Sequence, residues 1–327
     1  LYSSAASDVY KRQGEGFGLQ RQNGTGFLYE ELFERNLGIF TPQEQARIKD
    51  GKVLIIGCGG IGGVVAQALA RSGLGRFVLY DFDRYQPSNM NRQITCYTDT
   101  LGVSKALITQ EAIYRINPEA EVEVCDQPLR PEEIFEVMKQ GDVVMPAADD
   151  WALSIVMLGA AKEAGKPAVM SYPAGALGRV STFLPDSPYA AECLVMPYKV
   201  PYEELKVFMD NPDNRRILDY YCTEGAFTQE WFDGWCEGSL PHPQLCTIVW
   251  ITGALAAMEI IKLFSGKWEP VAAPRYWHIT PEGARIARFG LARRLLSRHL
   301  GRSPNQALLP ALAKRRWLVR LFTRLIS

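Results

Sequence analysis

Gly57-Cys58-Gly59-Gly60-Ile61-Gly62 lies between a short apolar run and an Ala-rich stretch. Glycines at such a junction let backbone N–H groups approach phosphate oxygens, and the positive end of the following helix favours the anion. Asp83 stands 21 residues beyond Gly62, at the end of the next apolar run, where a carboxylate suits ribose hydroxyls. These two features alone indicate a nucleotide, and a NAD-dependent oxidoreductase fits them equally well. The residues that follow discriminate. Ser88-Asn89-Met90-Asn91-Arg92-Gln93 and then Ser104-Lys105 add two cations. A pyrophosphate cradled by backbone amides has little use for a cation pair. A triphosphate undergoing cleavage carries about four negative charges and needs fixed cations and a metal as the leaving group develops charge. Asp149 and Asp150 fall just past another apolar run, where ligands meet the carboxyl edge of an α/β sheet. Asp149 is the candidate magnesium ligand. Asp150 is either a second nucleotide contact or the cap of the helix after it.

The elements that position these residues follow from hydrophobic period. Strands are predicted over 52–56, 76–80, 121–125, 142–145 and 167–170, and helices over 64–72, 104–116, 131–139 and 152–164. Alternating strand and helix predict a doubly wound, mostly parallel sheet of Rossmann-like form. Thr41-Pro42-Gln43-Glu44 is a helix start, with a Thr cap, Pro in the first turn and Glu three residues on. Residues 1–26 are set apart as a disordered or artefactual lead-in. The nucleotide domain spans 27–184, an irregular insert rich in Pro, Tyr, Asp and Trp spans 185–245, and 246–286 returns to the nucleotide domain with a helix near 245–264 and a strand near 275–279. A basic amphipathic helical tail covers 287–327.

At this point the chain resembles the ThiF/MoeB/HesA family of adenylating enzymes, relatives of ubiquitin-activating enzymes. The resemblance rests on Gly57–Gly62, Asp81-Phe82-Asp83, Asn89-x-x-Arg92-Gln93, Lys105, Ile116-Asn117-Pro118 and Asp149, taken together and in order. It implies ATP- and Mg-dependent adenylation of a carboxylate with release of pyrophosphate. The acyl group would be the C-terminus of a ubiquitin-like or sulfur-carrier protein or peptide. By resemblance Gly57, Gly59, Gly60, Gly62, Asp83, Ser88, Asn89, Arg92, Lys105 and Asp150 contact ATP, and Asp149 holds Mg2+. The family also implies a homodimer in which Arg35 reaches the partner's phosphates. Alternatives within the fold are a dehydratase that activates a carboxylate on modified tRNA and a catalytically inert nucleotide-binding scaffold. Relatives often hold zinc with two Cys-x-x-Cys pairs; here Ala190 stands where the partner of Cys193 would be and the second pair is missing, so no structural zinc is expected.

Bulk composition narrows the setting. The 36 Lys and Arg balance 36 Asp and Glu, yet no acid follows Glu282, where ten Arg and one Lys lie. The preceding residues keep 25 basic against 36 acidic side chains, an acidic body with a basic end. Seven cysteines without a Cys-x-x-Cys pair, and no secretory signal, predict a reducing, cytoplasmic protein. Its tail could rest on the inner membrane surface, bind RNA, or pack on the acidic body. The longest uncharged apolar stretch, 245–258, is shorter than a bilayer span and predicts a buried helix. Cys222 is the chosen nucleophile if an acyl thioester forms, because neither apolar packing nor a zinc remnant explains it. His242 and His278 stand isolated in sequence and are assigned no catalytic role.

Overall fold

The computed structural model describes residues 28–214, 216, 226–291 and 297. The lead-in at 1–26, Cys222 and nearly all of the basic tail therefore lie outside the described residues. Eight strands form one sheet in the order β3-β2-β1-β4-β5-β6-β7-β8. They are β1 (Lys52–Ile56), β2 (Arg76–Tyr80), β3 (Glu121–Cys125), β4 (Val143–Pro146), β5 (Ala168–Ala174), β6 (Leu177–Phe183), β7 (Arg275–Thr280) and β8 (Gly283–Arg288). The first five in chain order pair in parallel, and the last three add on antiparallel. This is the mostly parallel, doubly wound architecture that the sequence pattern predicts.

Period-two alternation decides which side chains enter which half of the core. Along β1, Val53 and Ile55 point into one apolar cluster, Leu54 and Ile56 into the other. The first cluster is closed by α2 (Pro42–Asp50), α3 (Gly60–Arg71), α4 (Lys105–Tyr114) and α10 (Cys246–Ser265), after the short α1 (Tyr29–Leu32). The second is closed by α5 (Ile134–Met138) and α6 (Trp151–Glu163), with the insert helices α7 (Ala190–Leu194) and α8 (Tyr202–Asp210). A further insert helix is α9 (Gln229–Cys236). A strand buried on both faces must be apolar throughout, which is why β1 reads as an unbroken run.

Local chemistry sets the ends. Thr41 accepts a hydrogen bond from the Glu44 N–H at 3.2 Å, and the Glu44 carboxylate accepts from the Thr41 N–H at 2.8 Å, closing the predicted capping box. Helix α3 begins at Gly60, four residues before its sequence-predicted start. The low helix propensity of glycine hides that first turn from a sequence reading. The region 185–245 is not irregular throughout, since it holds α7, α8 and α9.

Helix α10 is long and apolar enough to cross a membrane by length alone, yet half of its most apolar window is buried. It packs on α3, β5 and β6. At its heart Glu259 is fully buried. That carboxylate accepts from Val271 N–H at 2.6 Å, Trp277 Nε1 at 2.9 Å and Thr182 Oγ1 at 3.2 Å, and pairs with Lys262 at 2.6 Å. A buried charge survives only when so engaged. Here it pins the helix to the antiparallel half of the sheet.

The expected boundary at 286 falls inside β8, whose pairing with β7 runs to Arg288. Phe289 follows, buried, with its ring stacked on Tyr276 at 4.3 Å between centroids. The first residues of the basic segment thus belong to the core. Phe289→Ala should cost about 3 kcal/mol, as large-to-small core changes do. Urea denaturation measures it, and an unchanged midpoint would show that the chain beyond β8 carries no stability.

Candidate active site

Strand order reverses between β1 and β4, and the glycine loop leaves β1 at this switch point. Open α/β sheets bind ligands there, outside the carboxyl ends of their strands. Gly57 has φ of +98°, and a Cβ on it would lie 2.5 Å from the Ala147 carbonyl oxygen. A Cβ on Gly62 would lie 1.8 Å from the Gly57 oxygen. Gly57 and Gly62 therefore serve the turn itself, and both positions exclude any side chain. Gly59 and Gly60 leave more room, and Gly60 lines the adjoining cavity.

The loop is held by a carboxylate to which the sequence reading assigned no role. Asp81, just after β2, accepts from the Cys58 N–H at 2.6 Å with one oxygen and from the Asp83 N–H at 2.8 Å with the other. Burial raises the Asp81 pKa above the usual carboxylate value, opposed by these two hydrogen bonds and by the nearby Lys105 charge. A raised value in the fold means that this group contributes stability below the ordinary carboxylate pKa and loses it as pH rises through the raised one. At neutral pH the ionised form is held at a cost to folding.

Asp83 and Lys105 come together: Nζ of the buried lysine lies 2.9 Å from Asp83 Oδ2, and the lysine N–H donates to the Asp83 carbonyl at 3.0 Å. Lys105 is the first residue of α4, capped by Ser104. Half of the Asp83 side chain remains exposed beside that ion pair. The Arg92 guanidinium donates to the Ser88 carbonyl at 3.1 Å and to Asn91 Oδ1 at 2.8 Å. No carboxylate among the described residues neutralises it. Asn89 is buried and its side-chain oxygen accepts from the Gln86 N–H at 3.0 Å, so it shapes the turn that carries Ser88 and Arg92. The turn is tied to α10 by Trp250 Nε1, which donates to the Arg92 carbonyl at 2.8 Å.

Beyond β4, Asp149 is exposed and reaches the cavity, with no hydrogen bond or ion pair to another described residue. Asp150 behaves differently. One oxygen accepts from the Leu153 N–H at 3.0 Å, capping α6, and the other accepts from Tyr202 Oη at 3.0 Å and lies 3.4 Å from Lys206 Nζ. The capping alternative is the one displayed, extended into a tie that anchors α8. Arg35 sits exposed in a 3-10 turn, Glu34–Asn36, outside the cavity lining.

A cavity of about 390 Å3 opens from Gly60, Arg92 and Asp149 towards the ends of β4 and β5. Trp151, Tyr172, Trp235 and His242 wall its far side. His242, isolated in sequence, meets the Trp235 ring at 4.4 Å and lies 3.4 Å from the Tyr172 hydroxyl. Residues from β5, α6 and the insert converge here from distant parts of the chain, and no local motif announces them. Among the described residues no group of three or more His, Cys, Asp or Glu is placed to hold a metal. A lone exposed carboxylate beside a phosphate site still suits Mg2+, which is held by one or two carboxylates together with substrate phosphates. Cys193 is buried in α7, and burial together with the Asp81 charge pushes the Cys58 thiol well up, which makes it a poor nucleophile.

Residues 33–295 match the profile of the ThiF family. Two curated relatives share part of that span. A tRNA threonylcarbamoyladenosine dehydratase of Haemophilus influenzae is 36% identical over 123 residues, 37% of this chain and 47% of the relative. A sulfur carrier protein adenylyltransferase of Thermus thermophilus is 33% identical over 142 residues, 43% and 52% respectively. The chain thus matches about half the length of these relatives. Among solved structures, Escherichia coli MccB with ATP superposes with a TM-score of 0.61 at 18% identity, covering 93% of this chain and 80% of MccB. PaaA gives 0.56 at 20% identity, covering 84% and 83%. At such identities the likeness is one of fold.

The Asp150 geometry makes a stability prediction that a nucleotide contact would not. Asp150→Ala should cost about 1–2 kcal/mol through loss of the cap. Asp150→Asn keeps a capping oxygen and loses a partly exposed ion pair worth about 0–1 kcal/mol. Chemical denaturation of both variants should rank them in that order; equal stability of Asp150→Ala and the parent would remove the cap from the picture.

Proposed function

The chain belongs to the ThiF family, and from that premise we propose that it adenylates a carboxylate with ATP and releases pyrophosphate. The carboxylate is the C-terminus of a small ubiquitin-like or sulfur-carrier protein or of a peptide. One observation carries the reading: Arg92, without a carboxylate partner among the described residues, and Asp149, without any, both line one cavity at the mouth of a glycine loop. A Mg2+–triphosphate would give both a partner, the phosphates to the Arg92 guanidinium and the cation to the Asp149 carboxylate.

The chemistry follows from that arrangement. A carboxylate oxygen attacks the α-phosphorus of ATP, forming an acyl–phosphate bond as the bond to the pyrophosphate oxygen breaks. Negative charge grows on the leaving pyrophosphate, and a fixed guanidinium stabilises it more than it stabilises the ground state. Backbone N–H groups of the glycine loop and the N-terminus of α3 hold the phosphates. Asp83 keeps an exposed carboxylate edge for ribose hydroxyls while orienting Lys105. Mg2+, held by Asp149 and the phosphates, would supply further neutralisation of the triphosphate.

The similarity to the Haemophilus influenzae dehydratase favours a second reading, activation of a carboxylate on modified tRNA, which uses the same nucleotide chemistry. Seven cysteines without a Cys-x-x-Cys pair support a reducing, cytoplasmic setting. A homodimer is supported by the face of α10 that carries exposed Trp250, Ile251 and Met258. Large apolar side chains clustered on one helix mark an association surface.

Two experiments test the proposal. ATP–pyrophosphate exchange should fall at least about 100-fold in Arg92→Ala and in Asp149→Ala, the loss expected when one transition-state partner is removed. Exchange at parental rates in both variants would remove the reaction from this site. In sedimentation, the parent should run as a dimer and Ile251→Asp as a monomer; a monomeric parent sinks the dimer.

A further inference from the structure

Arg92 lies in a turn, outside any helix or strand. A guanidinium that is to meet a growing charge must nevertheless be held in place beforehand. Its hold comes from the start of α10 and the residues just before it. Trp250 Nε1 donates to the Arg92 carbonyl at 2.8 Å and fixes the backbone. Asn91 works on the far end of the same residue. Its side-chain oxygen accepts from the Arg92 guanidinium at 2.8 Å, and its side-chain N–H donates to the Gln244 carbonyl at 3.1 Å. Between these ties the Arg92 stem runs beside the glycine loop: a Cβ on Gly60 would lie 3.6 Å from Arg92 Cγ and 3.0 Å from Val249 Cγ1. Both anchors are themselves fixed. Gly175, in the turn between β5 and β6, donates its N–H to the Pro243 carbonyl at 2.8 Å and accepts from the Leu245 N–H at 3.3 Å. Helix α10 is pinned by the buried Glu259.

We infer that Trp250 and Asn91 are positioning residues for Arg92, holding its guanidinium where the β- and γ-phosphates of a bound triphosphate would lie. They act through Arg92 and not on the nucleotide itself. An untethered arginine loses rotamer freedom when it meets a phosphate; here part of that loss is borne by folding. The Trp250 bond goes to a backbone carbonyl, so it can form whatever side chain stands at position 92. In Arg92→Ala that tie has nothing left to place. The inference rests on the nucleotide reading of the site and deepens it by assigning what sets the cation.

The probes are α,β-methylene ATP with Mg2+ and, separately, AMP, titrated into the full chain by calorimetry. On this reading the triphosphate reaches Arg92 and AMP does not. Trp250→Phe keeps an apolar ring and removes the N–H; Asn91→Ala removes the bridge to Gln244. Each should weaken the triphosphate analogue about fivefold, the worth of one hydrogen bond, and leave AMP within about twofold. In an Arg92→Ala background the same substitutions should change triphosphate affinity less than about twofold, because groups that act through Arg92 couple to it. Equal weakening of AMP and the triphosphate, or the full loss persisting in the Arg92→Ala background, would make the two residues merely structural and overturn the inference. Unchanged triphosphate affinity in either folded variant would overturn it too, with the nucleotide reading left standing. Asn91 is exposed, so Asn91→Ala decides alone if Trp250→Phe does not fold. If the parent does not bind the triphosphate analogue at millimolar concentration, the nucleotide reading fails, and this inference with it.

Discussion

A single carboxylate ties the sheet to the loop that faces the ligand. Asp81 follows β2 and holds the Cys58 N–H of the neighbouring strand's exit and the Asp83 N–H of its own. Those two bonds tie the glycine loop to the Asp83 backbone at once. Gly57 and Gly62 make the turn possible, because a Cβ at either would strike backbone within 2.5 Å. Helix α3 can then begin at the sheet edge with its positive end open to an anion. Lys105 is drawn in by Asp83, and the 88–93 turn carries Arg92 to the same edge with its back fastened to α10.

The arrangement works against stability. Burial raises the Asp81 carboxyl, so its ionised form costs the fold something at neutral pH. Arg92 and Asp149 stay without charged partners among the described residues, and Gln93 and Ser171 hide unsatisfied polar atoms. The buried Glu259, by contrast, meets four partners. Unmet charge gathers at Arg92 and Asp149, where the sheet order reverses. That is where a functional site is expected to depart from the rules obeyed by the rest of a fold.

How much of this was legible in the sequence differs by element. The strands over 52–56, 76–80 and 121–125 coincide with β1, β2 and β3: the central pair announce themselves as short apolar runs, and the edge strand β3 as an alternation of Glu and Val. The antiparallel extension was poorly legible: β6 and β8 carry Gly, Ser, Thr and Arg, and their pairing depends on partners far along the chain or across a tight turn. Asp83, Arg92, Lys105 and Asp149 could be read as candidates because residue type and order restrict the chemistry. The Asp83–Lys105 ion pair could not, since sequence separation says nothing of side-chain direction. The aromatic wall was hidden altogether. Trp151, Tyr172, Trp235 and His242 come from α6, β5 and the insert, and the packing of α9 and the following loop beside β5 brings them together.

The nucleotide's position at the β1–β4 switch point is the claim on which the functional reading stands, and a crystal structure grown with an ATP analogue blocked between the α- and β-phosphates tests it most directly. The ribose hydroxyls should lie within hydrogen-bond distance of Asp83, the phosphates against Gly59 and Gly60 with Arg92 on the leaving pyrophosphate, and the α-phosphate should face the cavity beside Asp149. Density for the analogue at any other place, with the glycine loop and Arg92 untouched, would contradict it.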